Sequence, residues 1–123
     1  MKWPVTRDEK GETGLLFISL SDIVKISAEG NRLLFHTKDE VFYQLNTLEK
    51  IESALKAAGL PFERADRGHL IDLHKVVEID VKNAIAYFEP SPGKERKSAT
   101  LSRAKLKELL PKMKERMKLR ARD

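Results

Sequence analysis

The chain contains no cysteine among its 123 residues. This absence excludes disulfides, thiolate nucleophiles and thiolate zinc sites, and it is typical of a protein kept in a reducing compartment. Long apolar segments are missing as well: the longest, Leu15–Leu20, is interrupted by Ser19 and is far shorter than the roughly 20 residues that cross a bilayer. The first residues include no apolar stretch of the kind found in secretory signals. We therefore expect one cytoplasmic domain without a membrane partner.

Glycine is sparse, with six residues scattered between positions 11 and 93. The sequence has no glycine-rich phosphate loop, and no serine on the glycine-flanked turn that presents a catalytic nucleophile. Two of the three histidines, His69 and His74, could join Asp72 in a metal site. Such a site normally needs three or four well-placed ligands with supporting groups, so partly exposed loop histidines are the favoured interpretation. The sequence predicts no enzyme, no metal site, no cofactor and no small-molecule substrate.

Acidic residues are scarce in the last quarter of the chain. Residues 90–123 contain 12 Lys or Arg against 4 Asp or Glu, whereas residues 1–89 contain 12 against 15. Such asymmetry indicates that one face or tail contacts a polyanion. A solvated basic helix would produce the same pattern, so charge alone leaves both interpretations open.

β-branched and aromatic residues are frequent in the first half of the chain. The apolar run over 15–20 predicts a strand covered on both faces. Two further strands, 23–28 and 32–37, flank Glu29-Gly30-Asn31, in which glycine and asparagine favour a tight turn. Another strand follows over 41–45. Together these segments predict an antiparallel meander.

One helix is clearly marked. Asn46 is placed to cap it, Glu49 follows three residues later, and Gly59 and Pro61 stop it. Its apolar face has helical spacing and consists of Leu48, Ile51, Leu55 and Ala58. A second helix is predicted to begin at Ser102, and Pro111 is expected to kink it or end it.

The remaining segments carry weaker patterns. Residues 62–73 mix charged and apolar side chains and are interpreted as a loop or a helical turn. A hairpin is predicted with strands over 76–81 and 84–88, and a last strand over 94–101. Beyond Pro111 we expect a frayed or extended basic tail.

Basic residues cluster in the predicted loops and at the ends of elements. They are Arg32, Arg64, Arg67, Lys94, Arg96, Lys97 and Arg103. Long cationic side chains on loops can reach phosphates and groove edges, and an arginine or asparagine can read a base through two hydrogen bonds. The helix start at Ser102 adds backbone N–H groups suited to an anion. This placement favours nucleic acid over a generic surface.

Four segments occur in a recognisable order: Ile23-Val24-Lys25-Ile26 leading to Glu29-Gly30-Asn31, then Leu48 through Leu55, Phe62 through Leu73, and Leu101-Ser102-Arg103. Together they resemble the LytTR DNA-binding domain of bacterial transcription regulators. The resemblance implies a mainly β fold with short helices, in which small antiparallel β-sheets are stacked, and DNA binding through loops. The resemblance covers roughly residues 15–110. We expect a single LytTR-like DNA-binding domain over 1–110 and a basic C-terminal helix extension or tail over 111–123.

Carried over by position, the family's DNA-contacting loops correspond to Asn31, Arg67 and the Ser102-Arg103 pair. Arg103 is the best single candidate to read a guanine. From their charge and position, the further DNA-binding candidates are Arg32, Lys94, Arg96 and Lys97, the last three as phosphate contacts.

The middle loop departs from the family pattern. Asp66, Gly68, His69 and Asp72 stand where the family usually shows histidine, serine, an aromatic residue and asparagine. Asp66 would repel a phosphate, and Gly68 has no hydroxyl to donate to one. The contact made by this loop is therefore expected to be weakened, altered in specificity or abolished.

These observations predict a transcription regulator that binds double-stranded DNA sequence-specifically through loops inserted in the major groove. One small domain offers few base contacts, so we expect repeated half-sites and a dimer that forms on DNA. Two alternatives stay open. One is a protein-interaction module of the same fold that has lost specific DNA binding, and the other is a non-specific nucleic-acid binder that uses the basic tail.

Overall fold

The structure is a computed structural model that describes residues 2–90 and 96–117, without the side chains of 114–117. Its strands are β1 (Lys2–Thr6), β2 (Leu15–Ser19), β3 (Lys25–Glu29), β4 (Arg32–His36), β5 (Val41–Leu45), β6 (Phe62–Asp66), β7 (His69–Asp72), β8 (Glu78–Asp80), β9 (Ile85–Tyr87) and β10 (Ser98–Thr100). Its α-helices are α1 (Leu48–Ala57) and α2 (Arg103–Met117). Short 3-10 turns occupy Leu20–Asp22 and Leu73–Lys75.

The strands form two antiparallel sheets. The large sheet has the order β2-β1-β5-β4-β3-β7-β6, and the small sheet has the order β10-β9-β8. Neighbouring β3, β4 and β5 form the predicted meander, whereas β2, predicted as part of it, pairs with β1 at the far edge. Gly30 between β3 and β4 has φ +65°, which glycine adopts without strain. The predicted fold class, mainly β with short helices and small antiparallel sheets, is therefore confirmed.

One face of the large sheet packs against α1 and forms the first core. Leu48, Ile51 and Leu55 of α1 are buried there. The sheet contributes large aliphatic and aromatic side chains, among them Ile26, Leu33, Phe35, Phe42, Phe62 and Leu70. Burial of α1 by these side chains explains why the periodicity of residues 48–58 predicted a helix.

The opposite face, at the β3-β7-β6 end, packs against the small sheet and α2 and forms the second core. Leu70 belongs to the first core and its neighbour Ile71 to the second, and both are fully buried, so β7 is covered on both faces. Small side chains are frequent in the second core, namely Ala65, Ala84, Ala86 and Ala99. They let the small sheet approach the large one closely.

Three local predictions are wrong. Residues 62–73 contain the hairpin of β6 and β7, and a register shift between Arg64 and Asp66 breaks the alternation that identifies a strand. The cap of α1 is Thr47, whose side chain accepts from the Lys50 N–H at 3.2 Å, while Asn46 bonds Thr47 and Gln44. β2 is not covered on both faces, because Leu15 and Phe17 are 72% and 61% exposed.

Helix α2 continues through Pro111 to Met117, so Pro111 does not end it. Leu106 and Leu109 before the proline and Met113 after it all lie in the second core, and this packing holds both sides of the helix in place. The expected tail is thus helical as far as residue 117, and residues 118–123 lie outside the described part. The boundary between a domain over 1–110 and a tail over 111–123 stays a prediction.

Strand β1 was not predicted, and Pro4 within it explains why. Proline has no N–H for a strand ladder, and β1 pairs with β5 only at Thr6 and Tyr43. The Gln44 side chain instead donates to the Pro4 carbonyl at 2.7 Å.

The strands predicted for the last third of the chain are present but shorter. The hairpin predicted over 76–81 and 84–88 is β8 and β9, and the strand predicted over 94–101 is β10. Within residues 2–90 and 96–117, no helix is long and apolar enough to span a membrane.

Candidate nucleic-acid interface

Two turns of the large sheet lie side by side. The β3–β4 turn contains Gly30 and Asn31, and the β6–β7 turn contains Arg67 and Gly68. The Ala28 N–H donates to the Gly68 carbonyl at 2.9 Å, which joins one turn to the other. Since β3 and β7 are neighbouring strands, both turns emerge at the same end of the sheet.

The start of α2 lies beside the second turn. The Ser102 N–H donates to the Ala65 carbonyl of β6 at 2.8 Å, and this bond ties the helix start to the outer edge of the sheet. The Ser102 hydroxyl accepts from the Lys105 N–H at 3.0 Å, so Ser102 caps α2 as predicted. We call residues 28–31, 66–68 and 102–103 the loop edge.

Three of the predicted DNA-binding side chains on the loop edge are unengaged. Asn31, Arg67 and Arg103 are exposed, and none of these side chains has a hydrogen bond or ion pair with another described residue. The Arg67 carbonyl accepts from Arg64 at 2.7 Å, but the Arg67 guanidinium has no partner among the described residues. Free donors of this kind can bond a ligand without first losing an internal partner.

Two other arginines predicted to bind DNA already form ion pairs within the protein. Arg32 forms ion pairs with Glu9 at 3.3 Å and Glu29 at 3.2 Å, and its guanidinium lies over the Tyr43 ring. Arg96 pairs with Glu78 at 2.7 Å, and its guanidinium carbon is 3.6 Å from the centre of the Tyr87 ring. The Arg96 side chain is only 15% exposed. Both arginines therefore stabilise local structure.

Of the two lysines predicted to contact phosphates, Lys97 lies away from the loop edge. Lys97 lies just before β10, and about 16 Å of extended chain separates it from Ser102. Its Nζ atom is 3.4 Å from His36 Nδ1, and its backbone N–H donates to Glu89. Lys94 lies outside the described residues.

The acidic residue expected to weaken the middle loop has a structural role. Asp66 accepts from the Gly68 N–H at 2.9 Å and contacts His69 Nδ1 at 2.7 Å. It therefore closes the β6–β7 turn and holds Arg67 at the tip. Asp72, buried to 5% exposure, accepts from the His74 N–H and pairs with Lys75 at 2.9 Å. In the described part of the chain, no three histidine or acidic side chains are placed to hold a metal ion.

A polar cluster that sequence analysis missed lies between the two sheets, where Lys25, Ser27 and His36 of the large sheet meet Lys97. The Lys25 ammonium donates to the Ser98 carbonyl at 2.7 Å, and the Ser27 hydroxyl is 3.0 Å from His36 Nε2. Cross-strand pairing of Lys25 with His36 could be anticipated from the meander. Contact with residues 97–98 could not, because nothing in the sequence shows where β10 packs.

The electrostatics of the polar cluster disfavour catalysis. Burial lowers the pKa of His36 to about 3, and the neighbouring charges of Lys25, Lys97 and His69 act in the same direction. A serine nucleophile needs a histidine that accepts a proton readily, oriented by an acid, whereas the second nitrogen of His36 faces an ammonium group. Burial also lowers the pKa of Lys25 and of Lys97. The cluster is better suited to attract an anion than to activate Ser27.

Comparison with known proteins accords with this arrangement. The model of the LytTr DNA-binding domain family matches residues 13–114. Among solved structures, the fold is similar to the LytTr DNA-binding domain of a protein described as a putative methyl-accepting/DNA response regulator from Bacillus cereus. The two are 14% identical with a TM-score of 0.61, over 89% of this chain and 95% of that chain. No curated protein matches the sequence.

The family match takes in both sheets from β2 onward, the whole loop edge and α2 as far as residue 114. It covers well over half of the chain, and the antiparallel architecture agrees with it. On this evidence the chain belongs to the LytTR family of DNA-binding domains.

Proposed function

We propose that this protein binds double-stranded DNA sequence-specifically and regulates transcription, by inserting the turns of its loop edge into the major groove. The observation that carries the proposal is the alignment of Asn31, Arg67 and Arg103, exposed and unpaired, along backbone segments that are hydrogen-bonded to one another. A rigid row of free donors is what base and phosphate contacts require.

The spacing of the turns suits a single groove. The β3–β4 and β6–β7 turns are two strand spacings apart, about 10 Å, which is close to the ~12 Å width of the major groove. Their side chains can therefore enter one groove together, while the start of α2 reaches its border. Neither turn needs to unfold, since Asp66 and the Ala28–Gly68 bond hold both in place.

We assign base reading mainly to Arg103. Its guanidinium stands at the first position of α2, where two parallel N–H groups could bond O6 and N7 of a guanine. The unpaired backbone N–H groups of the first helical turn lie beside it and suit a phosphate. Asn31 and Arg67 are then the second and third contacts, and Ser102 acts through the cap that orients Arg103.

Phosphate contacts are assigned to cations farther from the turns. Lys97, about 16 Å from Ser102 along β10, would reach the backbone that flanks the groove, and the positive charge of Lys25 beside it would strengthen the attraction. Lys94 and the basic residues of 111–123 belong to the same class by their charge. Arg32 and Arg96 keep their acidic partners in this proposal and support the loops.

A single loop edge offers few base contacts, so useful specificity calls for two copies on repeated half-sites about one helical turn apart. The test is selection of bound duplexes from a random DNA pool at physiological salt. A recovered repeated motif is the expected result. Duplexes without a shared motif would support a non-specific binder instead, and no recovery would support a protein-interaction module.

A matched variant makes the selection sharper. With Arg103→Ala, the motif should persist but lose its preference at one guanine, because the other contacts are unchanged. With Lys97→Ala, the whole motif should persist and total recovery should fall. If Arg103→Ala recovers an unchanged motif, base reading by Arg103 is wrong.

A further inference from the structure

The two edges of the large sheet are protected to very different degrees. At the β6 edge, the Ala65 carbonyl accepts from Ser102, and the strand carries Glu63, Arg64 and Asp66. At the β2 edge, β2 pairs only with β1, and no other described residue bonds its outer backbone groups. An edge strand with open backbone groups is a template for pairing with another chain.

The side chains of β2 do not block pairing at this edge either. Its sequence, Leu-Leu-Phe-Ile-Ser, contains neither a charged residue nor a proline, which are the usual means of blocking an edge. Leu16 and Ile18 face the first core, whereas Leu15 and Phe17 point to the other face and are 72% and 61% exposed. Large exposed apolar groups on a bare edge indicate a protein contact.

We propose that β2 pairs antiparallel with β2 of a second copy of this chain, about a two-fold axis at Phe17. This register is the one that aligns all five residues, with Phe17 opposite Phe17 and Leu15 opposite Ser19. Self-pairing of a charged strand would set like charges against each other, and β2 carries none. A folded copy also offers a strand that is already ordered, whereas a flexible peptide would lose entropy on binding.

The pairing leaves the loop edge free. β2 lies four strands from β3, about 19 Å across the sheet, so the turns at Asn31 and Arg67 are not covered by a copy at β2. The proposal does not depend on DNA binding, and it is tested without DNA.

The first test is sedimentation of the chain from about 1 µM to about 1 mM, a range that covers weak self-association. A monomer–dimer equilibrium is expected, and Phe17→Lys should weaken it at least about tenfold, since it removes the aromatic pair and sets two like charges opposite each other. Val81→Lys, at an exposed apolar position in the small sheet's hairpin, should leave the equilibrium unchanged. Circular dichroism melting verifies that both variants fold.

Leu45→Lys separates edge pairing from packing of the sheet face. Leu45 is 75% exposed and lines the same shallow cavity as Leu15, but it lies on β5, two strands inward. Leu45→Lys should therefore have little effect on a dimer that forms through the β2 edge. A monomer at every concentration, a dimer insensitive to Phe17→Lys, or a dimer equally sensitive to Leu45→Lys would each overturn the proposal.

Because the chain has no cysteine, single cysteine variants test the register directly. Phe17→Cys should form a disulfide-linked dimer on mild oxidation, because opposed residues bring their Cα atoms within about 5.5 Å. Leu15→Cys should not, since its copy would lie about 14 Å away along the strand. Equal cross-linking of the two variants would contradict the two-fold axis at Phe17.

Discussion

The two cores of this protein differ in side-chain size and in what they support. The first core, under α1, is filled with large residues such as Phe35, Phe42 and Ile51. The second core, between the two sheets and α2, includes four alanines, and the polar cluster lies beside it. The start of α2 belongs to an element of the second core and Lys97 lies just before β10 of that core, whereas the β6–β7 turn joins strands that contribute to both cores.

This difference separates stability from recognition. Large side chains bury more apolar area per residue, so the first core contributes most to holding the large sheet. Small side chains in the second core allow backbone segments to approach closely enough for the Ser102–Ala65 bond, and the long Lys25 side chain reaches the Ser98 carbonyl of the small sheet. The second core therefore positions the start of α2 with Arg103, and the first core holds the sheet whose turns carry Asn31 and Arg67.

The largest expected effects come from deleting a leucine in each core. Leu55→Ala in α1 and Leu109→Ala in α2 remove fully buried side chains and should each lower the free energy of unfolding by about 2–5 kcal/mol, measured in chemical denaturation. The two variants should differ in their affinity for DNA. Leu55→Ala should leave the affinity of the folded protein unchanged, whereas Leu109→Ala loosens α2 and should weaken it.

The comparison of these two variants needs affinities corrected for the folded fraction at the assay temperature. Exposed Val81→Ala is a suitable control, since it should change neither stability nor binding appreciably. If both leucine variants weaken DNA binding equally after correction, the separation of scaffold from recognition would be wrong.

The next largest effect is expected at Arg103, the first residue of α2, which packs in the second core. Arg103→Ala should lose about 1–3 kcal/mol of affinity for the preferred site and much less for random duplex, as expected for a guanidinium that bonds two base atoms. Lys97→Ala is the control, because removing a phosphate-binding cation weakens both DNAs alike. Arg103→Lys should restore binding only in part, since an ammonium lacks the planar pair of donors. If Arg103→Ala lowers the affinity for the preferred site and for random duplex by the same factor, Arg103 does not read a base.

The same contrast explains what the sequence could reveal of the fold. The meander and α1 were predictable because their alternating or helical patterns each face one core. The β6–β7 hairpin was not, since its bulge breaks the alternation, and β1 was hidden by Pro4. Continuation of α2 past Pro111 depends on Met113 packing in the second core, which is a tertiary effect.

The candidate interface was predictable only as a set of positions. The sequence indicated Asn31, Arg67 and Ser102-Arg103, but their alignment on one edge depends on β3 pairing with β7 and on the Ser102–Ala65 bond. It could not show that Arg32 and Arg96 are held by glutamates, because those partners are distant along the chain or on another strand. Charge and loop position alone do not distinguish a free arginine from an engaged one.

A smaller effect is expected from His36 in the polar cluster. Its pKa of about 3 lies below the ordinary value of 6.5, so between these values the unfolded chain binds a proton that the folded chain excludes. The contribution of His36 to the free energy of unfolding is therefore complete above pH 6.5 and is progressively lost as the pH falls toward 3. His36→Gln should remove up to about 1.4 kcal/mol per pH unit of that decrease, and less where water screens the partly exposed ring.

Denaturant titrations at pH 7, 5.5 and 4 measure this slope. His74→Gln, at an exposed histidine, is the matched control and should follow the parent chain. Identical acid destabilisation in the parent chain and His36→Gln would mean that neither burial nor the Lys25 and Lys97 charges oppose protonation of His36.

The smallest effect at physiological salt is expected from the end of the chain. Residues 118–123 follow α2 and include Lys118, Arg120 and Arg122. Truncation after Met117, which keeps Met113 in the second core, should weaken binding to specific and random duplexes by the same factor. The slope of log affinity against log salt should become shallower by about 0.9 for each phosphate that the truncated chain no longer neutralises. Replacing only these three cations with glutamine in the full chain separates charge from length and should reproduce the change. If both variants keep the parent slope, residues 118–123 do not contact DNA, and recognition rests on the loop edge and on the lysines assigned to phosphate contacts.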